Sequence, residues 1–324
     1  MTPRAMAGVA GRTICLALVL FVCFSLAALV SGVVRPPAAA TAQTQAPIAT
    51  TSQRSAAPAS TAAKPALMIL LYCLAVSGVF AYAILNSQAD GWGLVGFVYL
   101  AHFGLGTVMS QIESLIFLQH KFSAEFIWRV VAMGAITSTL FSPLAVLLMG
   151  KDKPVTPASE TKSRPFAEWT WKLLVIAALF TALYFTFGYF VAMKEPAVLA
   201  YYHDRDPGGF HAQLVKVWNR GAWLFPFQAL RGVMWVGFAW PLLSLVNARR
   251  GGIALAAAAL LGVWSLALLI PNPSMPETVR LAHLKETLPS SMILGLVMGA
   301  LLASTGECIK AGLATCAERF APNA

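Results

Sequence analysis

An ionisable residue lies inside an apolar stretch that is long enough to cross a membrane. Gly91 to Leu118 reads GWGLVGFVYLAHFGLGTVMSQIESLIFL, and it contains both Glu113 and His102. A charged group at membrane depth costs about 2.5–3.5 kcal/mol on insertion scales, so such residues normally face protein or water and not lipid. Glu113 is therefore the first candidate for a charged site.

Helical spacing predicts a polar stripe along this stretch. At about 100° per residue, several polar and small residues share one face, whereas Gln111 points away from it. The stripe consists of Tyr99, His102, Gly106, Ser110 and Glu113, with His120 extending it past the membrane end. Because His102 and Glu113 are eleven residues apart, about 16 Å along a helix, the pattern predicts one hydrated path and not a direct contact between them.

A second apolar stretch, Ala222 to Val246, supplies a cation. Gln228, Arg231 and Trp235 share one helical face, with Arg220 at its outer end. Arg231 lies about 14 Å below the predicted outer boundary and Glu113 about 8 Å below it. Because helical side chains lean toward the helix N-terminus, the two charged groups converge in depth. We therefore predict an ion pair between Glu113 and Arg231.

Three interpretations of these two residues are open on sequence grounds. The pair neutralises two buried charges and sets the register of two helices, which is the usual role of buried pairs. Alternatively, it forms part of a site for a charged substrate or a proton in an outward-facing cavity. In the third interpretation the two helices are not adjacent.

Two outer segments carry further titratable residues. The sequence YYHDRDPGGFH places His203, Asp204, Asp206 and His211 together, but its Asp-Pro-Gly-Gly run indicates a turn and no zinc or calcium spacing is present. We therefore expect a solvated loop, with no metal and no cofactor. The segment 279–288 is amphipathic and is expected to lie in the outer interface before the last span, or less often to cover a pocket. Its His283 has an unperturbed pKa suited to proton transfer near neutrality.

The catalytic templates are absent from the sequence. It contains no HExxH, no GxSxG and no paired aspartates within a span, so no catalytic residue is predicted. Glycines within the spans are expected to mark close helix packing and not phosphate loops. These glycines are Gly104, Gly106, Gly232 and Gly237.

Composition establishes the class of protein. The chain has 324 residues, of which 58% are hydrophobic and 11% charged, with a mean hydropathy of +0.70. A water-soluble core cannot absorb this composition, so we predict an all-helical, polytopic membrane bundle. The net charge of +10 is spread over loops, which excludes a nucleic-acid interface. The cysteines form no CxxC pair and are expected to be buried, inert thiols, namely Cys15, Cys23, Cys73, Cys308 and Cys316.

Hydropathy predicts eight transmembrane helices. They cover residues 13–34, 65–85, 92–118, 127–149, 169–193, 222–246, 253–270 and 289–305. Residues 1–34 are a short N-terminus with a signal anchor; if they are instead a cleaved signal, seven spans remain. Residues 35–64, rich in Ala, Thr, Pro and Ser, are expected to be a disordered linker, and residues 65–324 to form the membrane domain.

Basic residues predict that both termini lie inside. Lys and Arg cluster in the connection 150–168, in Arg249 and Arg250, and near both chain ends, where Arg4, Arg12, Lys310 and Arg319 lie. Alternating spans place all of these on one side, which the positive-inside rule assigns to the cytoplasm. The predicted outer connections are 119–126, 194–221 and 271–288.

The functional hypotheses fall into three classes. The first is non-enzymatic transport, conduction or sensing of a small molecule or ion through an outward-facing polar cavity. The alternatives are an intramembrane enzyme acting on a lipid or lipid-linked substrate and a membrane assembly component. An enzyme requires His283, Glu113 and the arginines to converge, whereas a conduit requires polar residues to continue inward past His102.

We expect a multi-pass protein of a cell membrane, of the bacterial inner-membrane type. Its expected partners are the lipid bilayer and a small-molecule or ion ligand, with no nucleic acid, and the sequence specifies no protein partner. The candidates for ligand binding or ion pairing are Glu113, Arg231, His102, Ser110, Gln228, Arg220 and His283.

Overall fold

The computed structural model describes residues 3–33, 60–119, 121–152, 166–206, 208–272 and 275–303. The regular structure in these ranges is helical, as composition predicts. The helices are α1 (Pro3–Val30), α2 (Ser60–Leu85), α3 (Gly91–Phe103), α4 (Met109–Phe117), α5 (Ala124–Leu148), α6 (Phe166–Phe190), α7 (Pro196–Tyr201), α8 (Phe210–Gly221), α9 (Leu224–Leu243), α10 (Arg250–Gly262) and α11 (Glu277–Ala303).

The protein is a polytopic helical membrane bundle. In the described part of the chain, seven helical segments are long and apolar enough to cross a membrane. They are Met6–Val30, Pro65–Leu85, Gly91–Phe117, Ala124–Leu148, Ala167–Lys194, Arg250–Leu269 and Glu277–Ala303. The first helix is one of the seven, so this count does not correspond to the seven spans expected after cleavage of a signal.

Helix α9 coincides with the predicted sixth span but is not among the seven apolar segments. Its 20 residues extend about 30 Å, which matches the hydrocarbon thickness of a bilayer. Gln228, Arg231 and two prolines lower its hydropathy, and the polar side chain of Arg231 packs against α6 and pairs with Glu113 of α4. Eight spans therefore remain a prediction.

Small residues let the last two long helices approach closely. A Cβ atom added at Gly295 of α11 would lie 2.5 Å from the carbonyl oxygen of Ala257 in α10. One at Gly299 would lie 2.6 Å from the Cα atom of Ala254. The spacing Gly-x-x-x-Gly is the usual device for bringing membrane helices into backbone contact. Among the glycines predicted to pack closely, Gly104, Gly106 and Gly232 do so, whereas Gly237 has nothing within 4 Å of its Cβ position.

The short connections predicted to be internal meet at one end of the bundle, which we call the basic end (residues 86–91, 150–152 and 246–250). The Gln88 N–H donates to the Leu245 carbonyl over 2.8 Å, and Lys151 Nζ donates to the Ser87 carbonyl over 2.9 Å. Arg12 of α1 reaches the Met149 carbonyl at 3.5 Å. These contacts agree with the predicted grouping of loops, while the side of the membrane that they face stays a prediction.

The opposite end, which we call the capped end (residues 117–119, 121–122, 191–202 and 275–283), is closed by an apolar cluster. The cluster joins the end of α4 to α7 and to the start of α11, and its buried members are Leu118, Ala192, Val198, Tyr201, Val279 and Ala282. It covers the helix ends nearest to Glu113.

The third span is not a uniform α-helix. Residues Gly104–Val108 form a π-helical turn between α3 and α4. Here the side chain of Phe238 packs against Gly104 and that of Trp264 against Gly106, so the turn is held by close contacts from two other helices. A π-turn contains an extra residue, which rotates α4 relative to α3. The stripe predicted from uniform helical spacing is therefore broken at its middle.

The segment 279–288 is not a separate interfacial helix, contrary to our expectation. It forms the first part of α11, which runs without interruption through Pro289. Arg280 holds this segment in place, because Arg280 Nη1 donates to the carbonyls of Leu268 and Ile270 at 2.9 and 2.8 Å. These bonds satisfy carbonyls at the end of the preceding helical segment and draw the start of α11 into the bundle.

Some sequence predictions concern residues outside the described ranges. Residues 35–59 of the predicted linker 35–64 lie there, as do His120, Cys308, Lys310, Cys316 and Arg319. Residues 60–64 of the predicted linker are the first residues of α2. Among the described cysteines, Cys23 and Cys73 are buried free thiols. Cys15 is a free thiol on the exposed surface of α1 and is not buried as we expected.

The close contact between α10 and α11 leads to a stability prediction. Gly295→Ala places a methyl group against the α10 backbone and is expected to destabilise the protein by about 1–3 kcal/mol, because backbone atoms cannot move aside locally. Thermal unfolding of purified protein in detergent measures the effect. Gly237→Ala is the matched control and should leave the melting temperature unchanged or slightly higher. Equal effects of the two substitutions would contradict the proposed packing.

Candidate functional site

The predicted contact between Glu113 and Arg231 is present. Arg231 Nη2 lies 2.7 Å from Glu113 Oε1. The environments of the partners differ, because the Arg231 side chain is 4% exposed and that of Glu113 is 45% exposed. The pair therefore consists of a buried cation and a half-exposed carboxylate.

Arg231 is buried because α9 lies very close to α6. The next residue, Gly232, would place a Cβ atom 2.9 Å from Ala177 Cα in α6, so only glycine allows this approach. Phe180 and Phe227 flank the guanidinium at 5.4 and 6.0 Å from its central carbon. Aromatic faces attract a cation at such distances.

Three buried N–H groups on one face of α9 have no hydrogen-bond partner in the described part of the chain. They are Gln228 Nε2, Arg231 Nε and Trp235 Nε1. Gln228 does use its carbonyl oxygen, which accepts from Arg231 Nη1 over 2.9 Å. The spacing i, i+3, i+7 places all three donors on the same side of the helix. An unpaired buried donor costs about 1–3 kcal/mol, so a row of three indicates a place for a group that accepts hydrogen bonds.

A second polar group lies beside this row. His283 of α11 pairs through Nδ1 with Glu286 Oε2 at 2.8 Å and through Nε2 with the Tyr202 hydroxyl at 3.1 Å. Because the carboxylate is an acceptor, Nδ1–H donates to Glu286, and the neutral ring then accepts from Tyr202 at Nε2. The three residues form a hydrogen-bonded chain.

The two groups share one environment. Burial raises the pKa of Tyr202, and the neighbouring carboxylates of Glu113 and Glu286 raise it further. Tyr184 of α6 lies between the groups, since Glu113, Glu286 and Arg231 all act on it electrostatically. A Cβ atom at Gly188 would lie 3.5 Å from Glu286 Oε1, so this glycine provides room for that carboxylate. The site thus combines side chains from α4, α6, α9 and α11 with the tyrosine that follows α7.

His102 does not belong to this site, contrary to the predicted stripe. Its Nδ1 lies 2.8 Å from Ser138 Oγ, and the Ser138 hydroxyl itself donates to the Gly134 carbonyl. Aromatic rings surround it, with centroids at 4.8 Å for Phe141 and 5.3 Å for Trp264. The π-helical turn is the reason, because it points α3 and α4 toward different neighbours.

Ser110 also differs from its predicted role. It is exposed, and its hydroxyl donates to the carbonyls of its own helical turn, at Gly106 and Thr107. Gln111 donates to Ser110 Oγ over 3.3 Å. Ser110 therefore satisfies its hydroxyl locally and does not contact the buried pair.

Arg220 lies apart from Arg231, although helical spacing predicts a shared face. The chain bends between α8 and α9, so the spacing does not continue from residue 220 to residue 231. Arg220 Nη1 instead lies 3.3 Å from Asp204 Oδ1, which also pairs with Lys216 Nζ at 2.6 Å. These residues line an open cavity of about 480 Å³ at the capped end, together with His203, Arg205 and Asp206. The described residues contain no cluster of three or more His, Cys, Asp or Glu side chains that could hold a metal ion.

Three members of the site were not among the sequence candidates. They are Tyr202, Glu286 and Tyr184; Glu286 belongs to the segment 279–288 that was expected to be interfacial, and Tyr184 lies in an aromatic-rich span. Treating α11 as one helix from Glu277 would have found Glu286, because it lies one turn after His283 on the same face.

Comparisons with protein-family models, with curated proteins and with solved structures found no match to this chain.

The unequal burial of the ion pair predicts unequal effects of removing its members. Glu113→Gln leaves a buried guanidinium without its counter-ion and is expected to lower stability more than Arg231→Met, which leaves a half-exposed carboxylate that water can reach. In the Arg231→Met background, Glu113→Gln should be nearly neutral, giving a coupling on the order of 1 kcal/mol. Thermal unfolding of the four proteins measures it. Additive effects would show that the contact contributes nothing, and Ser110→Ala serves as a nearby control.

The loop around Asp204 leads to a pH prediction. Burial raises the pKa of Asp204, but the hydrogen bond from Lys216, the Arg205 N–H and the two nearby cations outweigh burial and hold it below the ordinary 3.8. A depressed folded-state pKa stabilises the loop above the unfolded pKa, and this stabilisation is lost as the pH falls through the folded value. The protection factors of the amides in residues 203–206 and 208–221, which correct for the intrinsic pH dependence of exchange, should therefore fall below about pH 4. Asp204→Asn should exchange rapidly already at neutral pH; unchanged protection in this variant would contradict the role of the carboxylate.

Proposed function

We propose that this integral membrane protein binds a small anion at Arg231, between α4, α6, α9 and α11, and that it serves in transport or sensing. The anion is defined by its chemistry as a carboxylate, sulfonate or phosphate group that accepts several hydrogen bonds. We place the protein in a cell membrane of the bacterial inner-membrane type, with the capped end outside.

The observation that carries this proposal is the row of unpaired donors on α9. Gln228 Nε2, Arg231 Nε and Trp235 Nε1 are buried and lack partners among the described residues. One of the three belongs to a permanent cation, since a guanidinium stays charged in proteins. Anions are acceptor-only, so an anion at this row accepts hydrogen bonds from its donors, whereas a cation satisfies none of them.

Access to the row is available from the Glu113 side. Glu113 is about half exposed, and a carboxylate at this depth faces water and not lipid because of the cost of its charge. The α4 residues beside it are only partly buried, which distinguishes this helix from its tightly packed neighbours. A ligand that enters between α4 and α11 therefore meets Glu113 first and Arg231 next.

The inner half of the bundle supports a binding site and not an open conduit. The polar path that a conduit requires would continue past His102, but His102 is enclosed by aromatic rings and Ser138. Toward the basic end, the facing side chains are buried and apolar, including Leu94, Val98, Ala239 and Leu242. The described conformation is consequently closed on that side, as for a sensor or for one state of a transporter.

A second candidate is an intramembrane enzyme acting on an anionic lipid or lipid-linked substrate. The chain Tyr202–His283–Glu286 favours it, because a carboxylate that orients a histidine is the usual arrangement for a general base. Of the groups that an enzyme requires to converge, Glu113 contacts Arg231, whereas Arg220 pairs with Asp204 instead. Arg231 would hold the anionic group.

Binding of methanesulfonate, acetate and sulfate to the protein in nanodiscs of uncharged lipid tests the proposal. We expect binding that raises the melting temperature, and we expect Trp235→Phe, which removes one N–H and keeps the ring, to weaken it by about 5- to 10-fold. Trp240→Phe, in the same helix near the basic end, is the matched control and should bind as the wild type does.

Other outcomes separate the candidates. Equal affinity of Trp235→Phe and Trp240→Phe for these anions would show that the donor row does not bind them. Stabilisation by nanodiscs of anionic lipid without any response to soluble anions would assign the site to lipid headgroups. Conversion of that lipid, detected by mass spectrometry of the recovered lipid, would favour the enzyme.

A further inference from the structure

We propose that anion binding at Arg231 is coupled to the uptake of one proton by Glu113. This inference rests on the proposed function and specifies its regulation: the carboxylate and the anion compete for the same guanidinium. The ligand class is a monovalent anion that enters together with a proton.

The geometry makes the two events exclusive. Arg231 Nη2 lies 2.7 Å from Glu113 Oε1, and Arg231 Nη1 donates to Gln228 Oε1 over 2.9 Å. Both nitrogens therefore already have an acceptor. Nε and Nη2 belong to the same guanidinium, so an anion that accepts from the unpaired Nε lies next to the carboxylate of Glu113. Two anions within a few ångströms of one buried cation leave an uncompensated negative charge, which is costly in a region of low dielectric constant.

Protonation of Glu113 removes this conflict. A neutral carboxyl group no longer competes for the guanidinium, and Arg231 then balances the charge of the anion alone. Glu113 is half exposed, so a proton reaches it from the aqueous side while Arg231 stays buried. In the absence of the anion the ionised carboxylate restores the pair, so the site contains one negative charge opposite Arg231 in both states.

Other charged and titratable groups surround Glu113 on every neighbouring element. Arg231 comes from α9, Tyr184 from α6, Tyr202 from the end of α7, and His283 and Glu286 from α11. On α5, Glu125 and Arg129 pair with each other. Of these groups, His283 is the rival proton acceptor, because imidazole titrates near neutrality. It is already engaged on both nitrogens, by Glu286 and Tyr202, and it does not touch Arg231 in the described structure.

Methanesulfonate is a suitable probe because its own charge does not change between about pH 5 and pH 8. In the wild-type protein, its Kd should rise about tenfold for each pH unit in this range, which is the slope for uptake of one proton with each anion. Glu113→Gln should bind the probe with a Kd that is nearly independent of pH, because the amide cannot ionise. His283→Gln should keep the slope of the wild type.

A second measurement does not depend on folding of the Glu113 variant. Calorimetry of wild-type protein with methanesulfonate, in two buffers of different ionisation enthalpy, reports the number of protons taken up, which we expect to approach one. Binding with no proton uptake would overturn the coupling and leave the anion site intact. Loss of the pH dependence of Kd in His283→Gln would show that the histidine takes up the proton, which would also overturn the coupling to Glu113. Absence of methanesulfonate binding at every pH would overturn both the coupling and the proposed function.

Discussion

A guanidinium that is buried among membrane helices must be given both a counter-charge and hydrogen-bond acceptors. A guanidinium stays charged in proteins, so only the groups placed around Arg231 can offset the free-energy cost of burying its charge. Glu113 supplies the charge, Gln228 supplies one acceptor, and Phe180 and Phe227 supply polarisable faces. The placement of α4, α6 and α9 around this group follows from that requirement.

The same requirement accounts for two irregularities of the fold. Gly232 admits the backbone of α6 beside Arg231, which keeps lipid and bulk water from the buried side of the guanidinium. The π-helical turn Gly104–Val108 rotates α4 relative to α3, so Glu113 meets α9 while His102 packs among aromatic rings. Without the turn, the two residues would share a face and compete for the same neighbours. π-turns within helices often occur at functional sites, and here the turn has a definite mechanical effect.

Beside the buried pair, α11 contributes polar side chains whose hydrogen bonds are made to one another and to Tyr202. Each nitrogen of His283 has a partner, and Glu286 fits against Gly188. On α9, by contrast, three buried N–H groups have no hydrogen-bond acceptor among the described residues. This imbalance separates a polar group that stabilises a helix contact from one that is suited to receive a ligand.

Composition and hydropathy were sufficient for the class of protein, the positions of most helices and the grouping of loops, because burial of apolar residues over a bilayer thickness is a local property of the chain. The Glu113–Arg231 contact was also predictable, since depth and side-chain direction follow from helical geometry. Three features required the tertiary structure. The π-turn depends on close contacts from Phe238 and Trp264, which are distant in sequence, and it removed His102 from the stripe. Arg280 bonds to carbonyls of a preceding segment and made the supposed interfacial segment part of α11. Because the helix is interrupted between α8 and α9, Arg220 pairs with Asp204 and does not share a helical face with Arg231. In each case a contact between distant residues overrode the regular spacing on which the sequence-based prediction rested.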